Sequence, residues 1–348
     1  MKIIMIGHGM VGHKFIESVL EHVGDDVEIT ILAEEPRLAY DRVHLTEYFS
    51  GKSAKDLTLC RADFADAYGI DLRLNTKAVA IDQSHKTVTT NHGDVLSFDK
   101  LILATGSYAF VPPISGNDRE NCFVYRTIED LDAIRAASLN AKSGVVIGGG
   151  LLGLEAAKAL RDLNLETHVV EFAPRLMAVQ IDDLGGKVLR AKIENLGVKV
   201  HTQKATSSIE EGATTKHVMK FGDGSELETD IILFSAGIRP RDELARQSGL
   251  ALGERGGIMI NDYCQTSNPD IYAIGECALW QNKIYGLVAP GYDMARIAAK
   301  HVTEQACAEF AGADMSTKLK LMGVDVASVG DAHAMTPNAL SYFYADED

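Results

Sequence analysis

The chain lacks any apolar run of the roughly 18 to 20 residues that a bilayer-spanning helix needs. Its first apolar stretch, Ile3 to Ile6, stops at Gly7-His8, so no membrane partner and no signal peptide are expected. Cysteine is sparse: Cys60, Cys122, Cys264, Cys277 and Cys307 are odd in number, scattered, and form neither a CxxC nor a CxxxxC pair. That excludes a disulfide scaffold and a reactive dithiol, and no four thiols lie close enough in sequence to hold an iron-sulfur cluster. The eleven histidines show no HExxH spacing, so no metal is expected. Basic residues are in the minority, 34 Lys and Arg against 49 Asp and Glu, a net charge of -15. Such a surface repels nucleic acid and anionic lipid, and with thiols kept as packing residues the composition suits a cytoplasmic, reducing environment.

What the chain does have is glycine in two ordered groups. Lys2 to Ile6 reads as a short buried strand that runs into Gly7-His8-Gly9-Met10-Val11-Gly12 and then into helical spacing of Val11, Phe15 and Val19. In GxGxxG the first glycine makes a tight turn, the second admits a pyrophosphate against the backbone, and the third lets helix pack on strand. The diphosphate then meets the positive end of the helix, at Met10 and Val11. A second predicted strand, Val27 to Leu32, ends at Ala33-Glu34-Glu35, which supplies a carboxylate for a ribose hydroxyl, Glu34 being preferred to Glu35. Gly51-Lys52-Ser53 is no P-loop, because Thr46 stands where its leading glycine belongs.

About 140 residues later the pattern recurs. Gly144 to Ile147 enters Gly148-Gly149-Gly150-Leu151-Leu152-Gly153-Leu154-Glu155, and the following strand, Thr167 to Val170, ends at Glu171. A carboxylate there accepts from a ribose 2'-hydroxyl and repels a 2'-phosphate, favouring NADH, while nearby Arg175 leaves NADPH use open. Each half also closes on a strand with a small-residue exit, Ala104-Thr105-Gly106 in the first and Ser235-Ala236-Gly237 in the second. Such exits let backbone pass close to a bound cofactor.

These motifs together resemble the pyridine nucleotide-disulfide oxidoreductase superfamily over about residues 1 to 308. Asn268-Pro269-Asp270-Ile271-Tyr272-Ala273-Ile274-Gly275-Glu276 is similar to that family's second FAD motif, with Glu276 where most members have Asp. More specific stretches are Ala39 to Leu45, Tyr125 to Leu131, Gly148 to Ala156, Leu287 to Tyr292 and Lys318 to Val326. They resemble the N-terminal flavoprotein portion of the large subunit of NAD(P)H-dependent nitrite reductase. The resemblance implies an α/β fold of two Rossmann-like three-layer ββα dinucleotide-binding domains, plus part of a C-terminal α+β domain. FAD would be held by 1–115 and 243–308, NAD(P)H by 116–242, with 309–348 opening the further domain.

The same resemblance implies hydride transfer from NADH to FAD. Electrons would then pass to iron-sulfur and siroheme domains, or to another iron-containing acceptor protein, outside this chain. The ending at Tyr342 to Asp348 favours a fragment. Alternatives are an independent NADH:rubredoxin or ferredoxin reductase and a nucleotide-binding protein without turnover; a homodimer is left open. Arg42 and the helix start at Val288 and Ala289 are expected at the flavin, the latter stabilising reduced flavin by its positive end. Glu155 is expected beside the nicotinamide. Many relatives pair its counterpart with a lysine at position 47, whereas this chain has Glu47, expected to turn away. His44, in place of a usual proline, falls in the same segment.

Overall fold

The computed structural model describes residues 1–22, 27–321, 323–333, 335–340, 342 and 344. Much of the Tyr342 to Asp348 stretch read as a fragment end, namely 343 and 345–348, therefore lies outside the described residues. The described chain forms two compact α/β units. Unit 1 comprises Met1–Tyr108 and Ile238–Ala313, and unit 2 comprises Ala109–Gly237 and Asp314–Asp348. The exchange points thus fall at 108/109 and 237/238, where the sequence reading set 115/116 and 242/243. Residues from Asp314 onward, expected to open a further domain, group with unit 2.

In unit 1 five parallel strands lie in the spatial order Ile271–Ala273, Lys100–Leu103, Lys2–Ile6, Glu28–Leu32 and Asp71–Arg73. The middle three read as nearly continuous apolar runs, as expected of parallel strands buried on both faces. Met5 and Leu101 to Leu103 are fully buried. The edge strand arrives from far along the chain, pairing Ile271 with Leu101, and so makes the unit discontinuous in sequence. Helix Met10–Leu20 packs along helix Val288–Val302, whose Ala295, Ala298 and Ala299 are small enough to let the two approach. An antiparallel ribbon, Ala78–Asp82, Thr87–Thr90 and Val95–Ser97, completes the unit.

Unit 2 repeats the plan. Its parallel order is Lys199–His201, Glu166–Val170, Ser143–Ile147, Ile231–Phe234 and Cys122–Val124, again with a three-stranded ribbon, Thr206–Glu211, His217–Phe221 and Glu226–Thr229. The hairpin Thr317–Leu321 and Val324–Ser328 packs on helices Leu151–Asp162 and Asp183–Asn195.

Candidate functional site

Each unit presents a glycine turn at the C-terminal end of its central strand, where open α/β sheets bind ligands. Gly7 has φ +102°, and a Cβ on it would lie 2.3 Å from the Ala104 carbonyl oxygen. Gly148 has φ +121°, with a Cβ 2.2 Å from the Ser235 oxygen. The third glycines are excluded from change in the same way: a Cβ on Gly12 would meet the Gly7 oxygen at 2.4 Å, and one on Gly153 the Gly148 oxygen at 1.9 Å. The second glycines differ. A Cβ on Gly9 or Gly150 would meet nothing within 4 Å, so no protein atom requires glycine there. The open space leaves room for a ligand to approach the backbone there.

The helix caps test whether dinucleotides fit. Helices Ile128–Ser138 and Asp183–Asn195 are capped by side chains, Thr127 accepting from the Asp130 N–H and Asp182 from the Gly185 N–H. Helices Met10–Leu20, Leu151–Asp162 and Val288–Val302 begin at Gly9, Gly150 and Leu287 with no side-chain cap. Their leading N–H groups, at Met10, Val11, Leu152 and Ala289 among others, have no acceptor within the helix, which suits a phosphate or an anionic ring. Leu152 itself is 43% exposed on the first turn. FAD and a nicotinamide dinucleotide therefore fit the residues present.

Three distant segments of unit 1 meet at Val11. A Cβ on Gly275 (φ +77°) would lie 3.3 Å from the Val11 side chain, and one on Gly291 2.5 Å from it. This brings the fingerprint, the Gly275-Glu276 motif and the start of helix Val288–Val302 together. Glu276 accepts from Ser107 Oγ at 2.7 Å, just beyond the Ala104-Thr105-Gly106 turn, and Thr105 Oγ1 donates to the Arg241 carbonyl at 2.7 Å. Arg42 lies at the same place. Its backbone N–H donates to Met10 Sδ at 3.4 Å, its guanidinium pairs with Glu35, and it covers the Tyr40 ring at 4.8 Å. Burial works against its charge, but Tyr40, Glu35 and Glu276 outweigh that and hold the guanidinium pKa above its ordinary value.

The acids at the strand ends are fastened differently. Glu35 accepts from Tyr40 Oη at 2.8 Å, while the half-exposed Glu34 pairs with Arg241 at 2.7 Å and Lys77 at 3.2 Å. Partial burial raises the Glu34 pKa, yet the two cations together bring it below the usual carboxylate range. In unit 2, Glu171 accepts from the Gly149 N–H at 2.5 Å and from the Ala173 N–H at 2.7 Å. Arg175 is held by Asp183 at 2.6 Å and by the Ile181 carbonyl at 3.0 Å, so the cation read as a 2'-phosphate partner is engaged within its own loop.

Among the remaining candidates, Glu155 is half-buried on helix Leu151–Asp162, and Gly106 and Gly237 both take positive φ, +67° and +108°. Glu47 forms an ion pair with Lys52, and His44 Nδ1 lies 2.7 Å from Asp41. Cys277 is fully buried with its Sγ 3.3 Å from the Leu103 oxygen, and burial pushes its thiol pKa up, as it does for half-buried Cys60. Neither is poised as a thiolate. The sequence reading missed Lys77 and Arg241, which close on Glu34. No local motif marks them, for Arg241 is 207 residues away.

Residues 1–301 match the family of pyridine nucleotide-disulphide oxidoreductases, and the chain belongs to that family. It is an α/β oxidoreductase whose cofactors are FAD and NAD(P)H. Within the family it is similar to the nitrite reductase (NADH) large subunit of Escherichia coli (strain K12), at 56% identity over 348 residues. That alignment takes in 99% of this chain but 41% of the relative, so the chain spans about two fifths of that protein's length. Among solved structures it is similar to a NAD-dependent persulfide reductase from A. fulgidus (TM-score 0.89, 28% identity, 95% of this chain and 64% of that one). It is also similar to the NADH:rubredoxin oxidoreductase from Clostridium acetobutylicum (TM-score 0.82, 25% identity, 100% of this chain and 86% of that one).

Proposed function

We propose that this chain is the electron-input part of an NAD(P)H-dependent nitrite reductase, with FAD in unit 1 and NADH in unit 2. The observation that carries this reading is the double glycine turn, with an uncapped helix and an open second glycine at both Gly9 and Gly150. Bound FAD supplies a flavin that accepts hydride from the nicotinamide and gives up electrons singly. Gly9, between the tight turn at Gly7 and the helix packing at Gly12, would leave the backbone room for its diphosphate, and the N–H groups opening helix Met10–Leu20 would bind it. Glu34 and Glu35 would offer acceptors to the adenosine ribose, and Arg42 and Glu276 would hold the polar middle of the molecule. The uncapped start at Val288-Ala289 favours negative charge on the flavin ring.

In unit 2, Gly148, Gly150 and Gly153 repeat the cradle for NADH. Glu171 is held by two backbone N–H groups and keeps lone pairs for a ribose hydroxyl. With Arg175 engaged elsewhere, this favours NADH over NADPH. Glu155, on the first turns of the same helix, is the residue assigned to positioning the nicotinamide. The electron acceptor is assigned to iron-sulfur and siroheme centres carried outside these residues.

Anaerobic titration with NADH tests the reading: the purified protein should carry about one FAD per chain and bleach on NADH addition. It should then reduce a one-electron acceptor such as ferricyanide without consuming nitrite. A colourless protein after FAD reconstitution, or a yellow one that NADH does not bleach, would defeat it. A stand-alone NADH:rubredoxin-type reductase is the second reading, supported by the 86% coverage of the rubredoxin oxidoreductase. Rapid turnover with a purified rubredoxin would favour it.

A further inference from the structure

The loop that follows strand Glu166–Val170 is fastened to the second glycine turn at several points. Glu171 accepts from the Gly149 N–H, and the Met177 N–H donates to the Gly149 carbonyl at 2.8 Å. The fully buried Leu176 presses so close that a Cβ on Gly149 would lie 2.6 Å from its Cδ2. The exit of the neighbouring strand, Lys199–His201, holds the same loop from the other side. The Lys204 N–H donates to the Glu171 carbonyl at 3.0 Å and the Gln203 N–H to the Ala173 carbonyl at 3.1 Å, while the Ala173 N–H is taken by the Glu171 carboxylate.

Phe172 stands in the middle of these ties and is 78% exposed. Among the described residues it is the only phenylalanine left exposed; the others are buried or half-buried. A ring on a loosely held loop could turn inward and cover itself, but the backbone on both sides of Phe172 is hydrogen-bonded. Aromatic rings carry a large apolar area and stack well on other flat rings, so a rigidly held, uncovered one offers its face to a planar ligand. The cations nearby are already engaged, Lys204 with Asp223 and Arg175 with Asp183.

We propose that Phe172 is the residue on which the adenine ring of NADH stacks, an inference that deepens, and rests on, the assignment of NADH to unit 2. The covalent structure of the coenzyme sets the reach. In the adenosine half the base is attached to C1', the carbon bonded to C2', so a carboxylate that holds the 2'-hydroxyl brings the base to the residue beside it. Glu171 is the carboxylate at that place and Phe172 is the next residue. Stacking asks only for a flat apolar face and leaves the polar edge of the base in water. Discrimination between a 2'-hydroxyl and a 2'-phosphate stays with Glu171.

Calorimetric titration of the FAD-loaded chain with ADP-ribose, which carries the adenosine but no nicotinamide, reads binding without turnover. Phe172→Ala should weaken ADP-ribose by about tenfold. It should raise the NADH concentration for half-maximal flavin reduction by a similar factor, with the limiting rate as in the parent. Phe172→Tyr, which keeps the ring, should restore tight binding. In Phe172→Trp, ADP-ribose should quench the added indole beyond any change in the parent, whose single tryptophan, Trp280, lies in unit 1. Reduced nicotinamide mononucleotide lacks the adenosine and should reduce the flavin of parent and Phe172→Ala alike, which a general loosening of unit 2 would not allow. Unchanged ADP-ribose binding in Phe172→Ala, or loss of the mononucleotide reaction in that variant, would overturn the proposal. Neither result bears on bleaching of the parent by NADH, which decides the proposed function separately.

Discussion

Units 1 and 2 share one backbone device and differ in how they secure the acid behind it. In unit 2, Glu171 is tied to the N–H of Gly149, 22 residues earlier, inside the fingerprint turn itself. In unit 1, Glu34 is held by Lys77 and Arg241, and Glu35 by Tyr40 and Arg42, all from outside the turn. The Glu171 tie is to a backbone donor, whereas that of Glu34 depends on Lys77 and Arg241 side chains that are themselves partly solvated. Unit 1 also draws in a returning strand and the helix Val288–Val302, and so gathers a cofactor site from three regions of sequence. The unit assigned to a permanently bound cofactor is the one built from distant pieces, and the unit assigned to an exchanging coenzyme is nearly self-contained.

Replacing the first glycines should break both units most severely. Gly7→Ala and Gly148→Ala each put a side chain at positive φ, which alone costs about 1–3 kcal/mol, and drive it against a carbonyl 2.3 or 2.2 Å away. Gly7→Ala should yield protein without flavin colour, and Gly148→Ala yellow protein that NADH no longer bleaches; absorbance spectra with and without NADH distinguish them. If both lose only flavin, the assignment of the units is wrong.

The second glycines sharpen the comparison without touching the fold. Gly9→Ala and Gly150→Ala enter open space, so melting temperatures should stay within a degree or two of the parent, by the small-effect end of surface substitutions (about 0.5 kcal/mol). Affinity for FAD in the first and for NADH in the second should fall by about tenfold or more, equivalent to one lost close contact with the diphosphate. Equilibrium dialysis for FAD and rapid-mixing reduction for NADH measure these.

A smaller effect is expected at Glu155. Glu155→Gln should slow flavin reduction by about tenfold with flavin content unchanged. Glu47→Gln, which removes only the partner of Lys52, should leave the rate as it is. A slow Glu47→Gln variant would move the assignment to the Glu47–Lys52 pair. Glu171→Ala strands the Gly149 N–H and should cost about 1–3 kcal/mol in stability while narrowing the preference for NADH over NADPH.

The least effect belongs to Glu34, whose exposed ion pairs contribute about 0.2–1 kcal/mol after solvent screening. Its folded pKa lies below the ordinary value, so this contribution is present above the unfolded pKa of about 4.3. It is lost as pH falls through the depressed folded value. Glu34→Gln should therefore lower the melting temperature slightly at pH 7 and make progressively less difference as pH falls below the unfolded pKa of about 4.3, in melts at matched ionic strength.

Much of this was legible in the sequence wherever neighbours in sequence are neighbours in space. Strand Lys2–Ile6 and the turn at Gly7 are one continuous event, and their residue types admit few other conformations. Glu171 was readable for the same reason. The pairing of the Arg175 guanidinium with Asp183 was not legible, because no period or motif announces how the loop folds back. Lys77 and Arg241 were invisible, since each gains its meaning from a partner, Glu34, supplied by a different segment.

By itself, then, the sequence determined the two glycine turns, the strands that feed them and the acids that follow, because steric limits on φ and the apolar periodicity of buried strands act within a few residues. Only the tertiary structure decided that Val11, Gly275 and Gly291 share one point and that Arg42 pairs with Glu35. It also decided that Glu34 and Glu171 are anchored by different means. Those outcomes depend on which surfaces the chain brings together when it buries its core, and burial is a property of the whole fold rather than of any stretch of it.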